Sequence, residues 1–241
     1  HGDPSNEVSG ILVTWTSSLG ALEEAGGEGL NTVICHEQFL FGPHGHETEL
    51  NTAEEIAGWP ANVRRLDLAE RHGISVIRAH RTIDAWCIPD VWYGEVLGLG
   101  KPVVVHGKDG YRFVQVYEID PTPAGQVVER FKTTLGLGTV RAYLQNPDRP
   151  VTRLGAVWGG VGLVTNLYTT AQTLAEGVDM VVGGETDETA AYFFAEAGVD
   201  VVELGHQRSE IDGLAKLAPW LQERLDVPVA VYREETPLGF Y

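Results

Sequence analysis

Gly205-His206-Gln-Arg-Ser-Glu210 places a histidine and a glutamate four residues apart where an apolar run gives way to helix-forming residues. If a helix starts there, the two side chains share a face with β-carbons about 5–6 Å apart, near enough to hold one metal ion. The same spacing also describes a solvated surface pair. His36-Glu37 follows directly on another apolar run, and imidazole with carboxylate suits Zn, Mn, Fe and similar divalent ions. Neighbouring strand residues face opposite ways, so both can ligate only if the strand has ended or bent, or if a pair of ions sits side by side. A buried His36 beside an exposed Glu37 is the alternative. His80-Arg-Thr-Ile-Asp84 offers a third set. An Asp so placed can bridge cations roughly 3.5–4 Å apart, as in two-metal hydrolytic sites, or it can cap a turn. Glu185, within Gly183-Gly184-Glu185-Thr-Asp187-Glu188, reads first as part of an acidic helical turn favoured by the helix dipole, and only second as a ligand.

These residues need a scaffold that brings them together, and the pattern around them supplies one. Four times a glycine is followed by a short apolar strand that ends in a metal-capable side chain: Gly29 to Glu37, Gly73 to His80, Gly177 to Glu185 and Gly198 to His206. Each glycine reads as the left-handed cap that stops a helix. Parallel strands deliver their carboxyl ends to one edge, where the ligand sites of open α/β sheets lie.

Strands are expected over Val8 to Trp15, Asn31 to Cys35, Ser75 to Ala79, Val103 to His106 and Tyr111 to Ile119. Five more follow at Val140 to Leu144, Arg153 to Trp158, Asp179 to Val182, Asp200 to Leu204 and Val227 to Tyr232. Helical spacing covers Ser17 to Gly26, Thr52 to His72, Asp90 to Leu97, Ala124 to Leu135, Leu167 to Ala175, Glu185 to Ala197 and Glu210 to Leu225. The alternation predicts an α/β fold with helices packed on mixed sheets. Its two similar subdomains are expected at 1–120 and 121–241, joined near the Pro-Thr-Pro of Pro121 to Pro123.

Composition removes several classes of function. The chain has 241 residues, of which 43% are apolar, with 17 Lys plus Arg against 34 Asp plus Glu and a net charge of −17. A surface of that sign repels nucleic acid and anionic membranes unless its basic residues cluster, and no run of them occurs. No stretch reaches the roughly 18–20 consecutive apolar residues of a spanning helix, and no charged-then-apolar leader precedes the first strand. His1 stands where a start methionine would, which leaves a preceding segment or a tag remnant open. The two cysteines, Cys35 and Cys87, form no C-x-x-C pair, so a soluble protein of a reducing cytoplasm is expected.

In this combination and order, His36-Glu37, His80 to Asp84 and Gly205-His206-Gln207-Arg208-Ser209-Glu210 resemble the NIF-three-like dinuclear metal-centre proteins, also labelled GTP cyclohydrolase I type two. Arg153 to Gly162 and Val181 to Glu185 resemble the family's glycine-rich strand-turn and later strand end. The resemblance implies a toroidal homohexamer of two-domain α/β subunits with paired metals in the inter-domain cleft, held by His36, Glu37, Asp84, His206 and Glu210. Glu37 stands where the commoner pattern has a second histidine, and an anionic ligand there favours harder ions. His80 matches a position close to the metals and is assigned to proton transfer rather than ligation.

The resulting expectation is a dinuclear divalent-metal protein that hydrolyses a small anionic or nucleotide-like substrate. Whether it is an enzyme at all stays open. The alternative is a non-enzymatic metal-binding oligomer acting in metal handling or as a regulatory scaffold. Arg81 and Arg208, with Arg78 nearby, are candidates to receive a substrate's phosphate or carboxylate, or to pair with surface acids.

Other features carry less. Gly159-Gly160-Val161-Gly162 lacks the Lys-Ser/Thr of a P-loop and reads as a tight turn. Cys35 is expected in the core, with Cys87 a small buried side chain or a thiolate ligand. His44 and His46 resemble an independent clip and are left outside the site. Trp86 and Trp92 could stack on a ring, though core packing is their default.

Overall fold

The computed structural model describes residues 1–42, 52–108 and 111–237. His44 and His46 lie outside the described residues. Along the first third of the chain run β1 (Ile11–Thr14), α1 (Leu19–Gly27), β2 (Thr32–Cys35), α2 (Ala53–Ala57), α3 (Pro60–Arg71), β3 (Ser75–Arg78) and α4 (Arg81–Trp86). A π-helical segment, Asp90–Val96, leads to β4 (Val104–Lys108), β5 (Tyr111–Pro123), α5 (Ala124–Leu135), β6 (Arg141–Tyr143) and β7 (Pro150–Val157). Then come α6 (Leu167–Ala175), β8 (Met180–Gly183), α7 (Glu188–Glu196), β9 (Asp200–Glu203), α8 (His206–Ala215), α9 (Leu217–Gln222) and β10 (Val229–Val231).

The chain forms two compact units, His1–Ile83 with Leu214–Tyr241, and Asp84–Gly213. The expected division at 120/121 is therefore corrected. Residues 121–123 lie inside β5, whose pairing with β7 continues through Thr122↔Val151 and Pro123↔Pro150. The C-terminal strand β10 returns to pair parallel with β1, Ile11 opposite Val229.

The first unit has four parallel strands in the order β10-β1-β2-β3. Its core packs Leu12, Val33 and Cys35 of the sheet against Leu22 and Ala25 of α1 and Leu68 and Ala69 of α3. The second unit has a mixed sheet in the order β4-β5-β7-β8-β9-β6, in which β7, β8 and β9 are parallel. Val116, Val157, Val181 and Val201 there meet Ala190 and Phe194 of α7. The two ends of this unit are held together: Cys87 donates its thiol to the Gly213 carbonyl at 3.2 Å, and a β-carbon on Gly213 would lie 2.6 Å from Ile88 Cα.

The four glycines read as helix stops, Gly29, Gly73, Gly177 and Gly198, all take left-handed backbone, with φ of 71°, 61°, 70° and 72°. Elsewhere proline redraws the helices. The stretch from Thr52 to His72 is two helices, because Trp59 before Pro60 is extended (φ −63°, ψ 137°) and Pro60 opens α3. The segment expected from Glu210 to Leu225 begins earlier, at His206, and breaks after Ala215. Pro219 has no N–H to offer the Ala215 carbonyl four residues back. The helix expected from Glu185 starts at Glu188, because Asp187 is its N-cap and accepts from Ala190 N at 2.9 Å.

Candidate metal-binding residues

In the first unit, β2 ends at Cys35 and the chain turns at once. The amides of His36 and Glu37 both donate to the Trp15 carbonyl, at 3.1 and 2.8 Å. The strand has therefore ended, which removes the geometric objection to adjacent residues sharing a site. Glu37 Oε1 lies 3.5 Å from His36 Nδ1 and 3.6 Å from His80 Nε2. The two imidazoles stack with centroids 4.2 Å apart and planes 22° from parallel. His36 is fully buried and His80 one-third exposed.

Burial pushes the Glu37 carboxyl up, but hydrogen bonds and charge from His36 and His80 outweigh it and hold the group well below the usual carboxylate range. Arg78 donates from Nε to the His36 carbonyl at 3.2 Å, which places this arginine behind the donors as a strut. Cys35 is buried in the core as expected and donates to the Glu37 carbonyl at 3.1 Å. Burial raises its thiol pKa, the state of an inert cysteine rather than a thiolate ligand.

Two residues of α3 that sequence reading passed over hold the segment following Glu37. Asn62, fully buried, accepts from Phe41 N at 2.8 Å and donates to the carbonyls of Phe41 and Ile56 at 2.8 and 2.7 Å. Arg65, also buried, donates to the carbonyls of Gln38 and Phe39 at 3.2 and 2.6 Å and lies 3.8 Å over the Phe41 ring. Their signal was available: both fall on the helix face of Leu68 and Ala69, where an apolar side chain is the norm.

In the second unit, α8 begins at His206 directly after β9 and Gly205, so His206 and Glu210 do share one face, with Nε2 and Oε2 3.5 Å apart. Ser209, buried between them in sequence, accepts from Gly159 N at 2.8 Å and donates to the His206 carbonyl at 2.7 Å. The glycine-rich turn after β7 is thereby pinned to the first turn of α8. Gly159 has φ +52°, and a β-carbon there would overlap the Glu210 carboxylate and come within 3.3 Å of His206 Nε2. The turn is a close approach of backbone to donor atoms, in keeping with its reading as a tight turn.

Asp84 sits on α4, a helix not expected from the sequence. It is buried and accepts from Trp158 Nε1 at 3.1 Å. Trp158 immediately precedes Gly159, so one strand end touches Asp84 through its indole and the His206–Glu210 pair through its glycine.

Glu185 is not in a first helical turn. It lies in the loop after β8, and its Oε2 meets His206 Nδ1 at 2.9 Å. That hydrogen bond holds its carboxyl below the usual range despite partial burial. Arg81 and Arg208 are exposed, in the first turns of α4 and α8. Cys87 is engaged with Gly213. Trp92 is a core side chain, as expected by default, whereas Trp86 is 43% exposed.

Strand ends that present histidines and carboxylates give an α/β protein with side-chain groups that could hold a metal ion. The chain belongs to the Duf34/NIF3 (NGG1p interacting factor 3) family, which it matches across residues 1–237. It is 27% identical over 209 residues to a GTP cyclohydrolase 1 type 2 homolog of Lactococcus lactis, covering 85% of this chain and 75% of the relative. A homolog of the same description from Clostridium perfringens is 23% identical over 235 residues, covering 95% and 83%. The fold is shared with a Bacillus cereus protein related to NIF3, at a TM-score of 0.76 and 15% identity, covering 100% of this chain and 91% of the other. No described helix is long and apolar enough to cross a membrane.

Proposed function

We propose that this protein binds a pair of divalent cations through His36, Glu37, Asp84, His206 and Glu210, and uses them to hydrolyse a small anionic substrate. The observation that carries the reading is the donor chemistry around Glu37: one carboxylate oxygen within 3.6 Å of nitrogens on both His36 and His80, at a strand end. Neutral imidazole with carboxylate is the ligand set of Zn, Mn and Fe sites. Within a chain of net charge −17, cations are also the natural compensation for buried carboxylates such as Glu210 and Asp84.

When bound, such ions lower the pKa of a coordinated water toward ~7 and polarise the scissile group. His80, solvent-accessible and beside Glu37, is suited to carry the proton. Arg81 and Arg208, both exposed, are suited to receive the substrate's anionic group. The cyclohydrolase wording belongs to the relatives, and nothing in these residues selects a base. A homohexamer accompanies this reading by family resemblance, and a reducing cytoplasm by the spacing of Cys35 and Cys87.

The test is elemental analysis of wild type and variants, followed by hydrolysis assays on activated esters, phosphoesters and nucleotides with metal-reconstituted protein. Bound metal that falls in His206→Ala, with hydrolysis that falls in His80→Ala while its ions remain, supports the proposal. Full metal loading of His206→Ala would mean the ligands are wrong. Metal binding without turnover of any class would favour the non-enzymatic alternative.

A further inference from the structure

Glu185 has no place in the ligand set, yet its carboxylate lies 2.9 Å from His206 Nδ1. An ionised carboxylate can only accept, and Glu185 at 2.9 Å from Nδ1 is closer than Glu210 at 3.5 Å from Nε2, so the proton of a neutral imidazole is favoured on Nδ1 and the lone pair on Nε2. Nε2 is the nitrogen turned toward Glu210. We propose that Glu185 is a positioning residue for the metal centre: it holds the His206 ring in the Nδ1–H form and so presents Nε2 to the ion. This rests on the reading of His206 as a ligand.

The loop that carries Glu185 is built to keep it there. Glu185 N donates to the Gly159 carbonyl at 2.8 Å, in the same turn that packs on Glu210, and Gly184 N donates to the Val157 carbonyl at 3.0 Å. One residue on, Thr186 gives both its amide and its hydroxyl to Glu203 Oε2, at 2.9 and 2.8 Å. Glu203 is fixed in turn by Arg141 at 3.2 Å. Gly184 itself admits no side chain, because a β-carbon there would collide with the Gly159 backbone and lie 2.8 Å from Ser209 Oγ. The backbone on both sides of Glu185 is therefore anchored to β7 and β9, while its side chain is free of that work and points its carboxylate at His206. Histidine ligands in metal proteins commonly donate their second nitrogen to such a carboxylate, which fixes the tautomer and raises the basicity of the ligating nitrogen.

The experiment compares wild type, Glu185→Ala, Glu185→Gln, Glu188→Gln and His206→Ala. Long-range 15N–1H spectra of the metal-free proteins report the His206 tautomer, the His206→Ala spectrum giving the assignment. Titration with Zn and with Mn reports affinity, and circular dichroism confirms folding. Wild type is expected to show Nδ1–H at His206. Glu185→Ala should move the proton toward Nε2 and weaken metal binding about 10–100-fold. Glu185→Gln, which keeps an acceptor oxygen, should recover part of both. Glu188→Gln, which removes a charge from the same acidic stretch, should change neither readout.

A Glu185→Ala protein with the wild-type tautomer and wild-type affinity, alongside a His206→Ala protein that has lost metal, would overturn the role of Glu185 and leave the metal reading intact. A wild type that takes up no metal, or a His206→Ala protein that keeps all of it, would overturn the metal reading and the proposal with it.

Discussion

Trp158 donates its indole N–H to the Asp84 carboxylate at 3.1 Å, and both side chains are buried. A hydrogen bond to a charged acceptor contributes about 1.5–3 kcal/mol, and a buried carboxylate deprived of a donor is costly. Trp158→Phe is therefore expected to lower stability by at least that amount, and Asp84→Asn, which keeps an acceptor oxygen, by less. Urea unfolding of the two single variants and the double variant measures the coupling. Strictly additive losses would show that the indole does not support Asp84.

Gly159 combines left-handed backbone with the absence of room for a methyl group. Alanine at φ +52° costs about 1–3 kcal/mol before any clash is counted. Because the clash is with the Glu210 carboxylate, Gly159→Ala should lose bound metal as well as thermal stability, whereas Gly136→Ala, strained at φ +63° with open space around it, should lose only stability. Metal content per chain beside the melting temperature of each variant distinguishes the two effects.

The clamp by Asn62 predicts a loss that spreads along the chain. Asn62→Leu keeps the volume roughly but removes the hydrogen bonds to the Phe41 amide and to the carbonyls of Phe41 and Ile56, at about 0.5–1.5 kcal/mol each. Amide hydrogen exchange at Phe41 should accelerate, and metal affinity should fall, since Glu37 lies just before this segment. Unchanged exchange at Phe41 would remove Asn62 from the argument.

Asp179 sets part of the acid limit. Partial burial raises its carboxyl pKa, but the amides of Thr152 and Arg153, the Thr152 hydroxyl and the Arg149 charge together hold it below the ordinary value of 3.8. A group whose pKa is lower folded than unfolded stabilises the fold fully above the unfolded value, and that contribution disappears as pH falls through the folded value. Wild type should therefore lose urea resistance from about pH 4 downward, and Asp179→Asn should lose some resistance at neutral pH but show a flatter acid limb. Parallel pH profiles for the two proteins would refute the assignment.

Local patterning carried the elements far. Each of the ten short β-branched runs coincides with a strand among the described residues, because a glycine stop before an apolar run is a local signal that needs no tertiary context. The His206–Glu210 pair was legible for the same reason, as three residues of helix fix their separation. Ile11 opposite Val229 was not, because parallel pairing across the length of the chain leaves no trace in spacing, and the unit boundaries were misplaced with it. Glu185 was misread because the acidic run Glu185-Thr-Asp187-Glu188 looks like one helical turn, while Asp187 takes the cap and leaves Glu185 outside. Asn62 and Arg65 show in sequence only as polar residues on the Leu68–Ala69 face of α3, and the carbonyls they meet supply their role.

The tie between Cys87 and Gly213 closes Asp84–Gly213 on itself between the two segments that make up the other unit. On the ribosome the inserted unit is thus complete in sequence before Val229 has been translated, while β1, made before it, keeps one edge open until β10 follows. The host sheet is finished only once β10 has emerged, so the long exposure of β1 is an interval in which this protein is vulnerable to strand exchange with a neighbouring nascent chain.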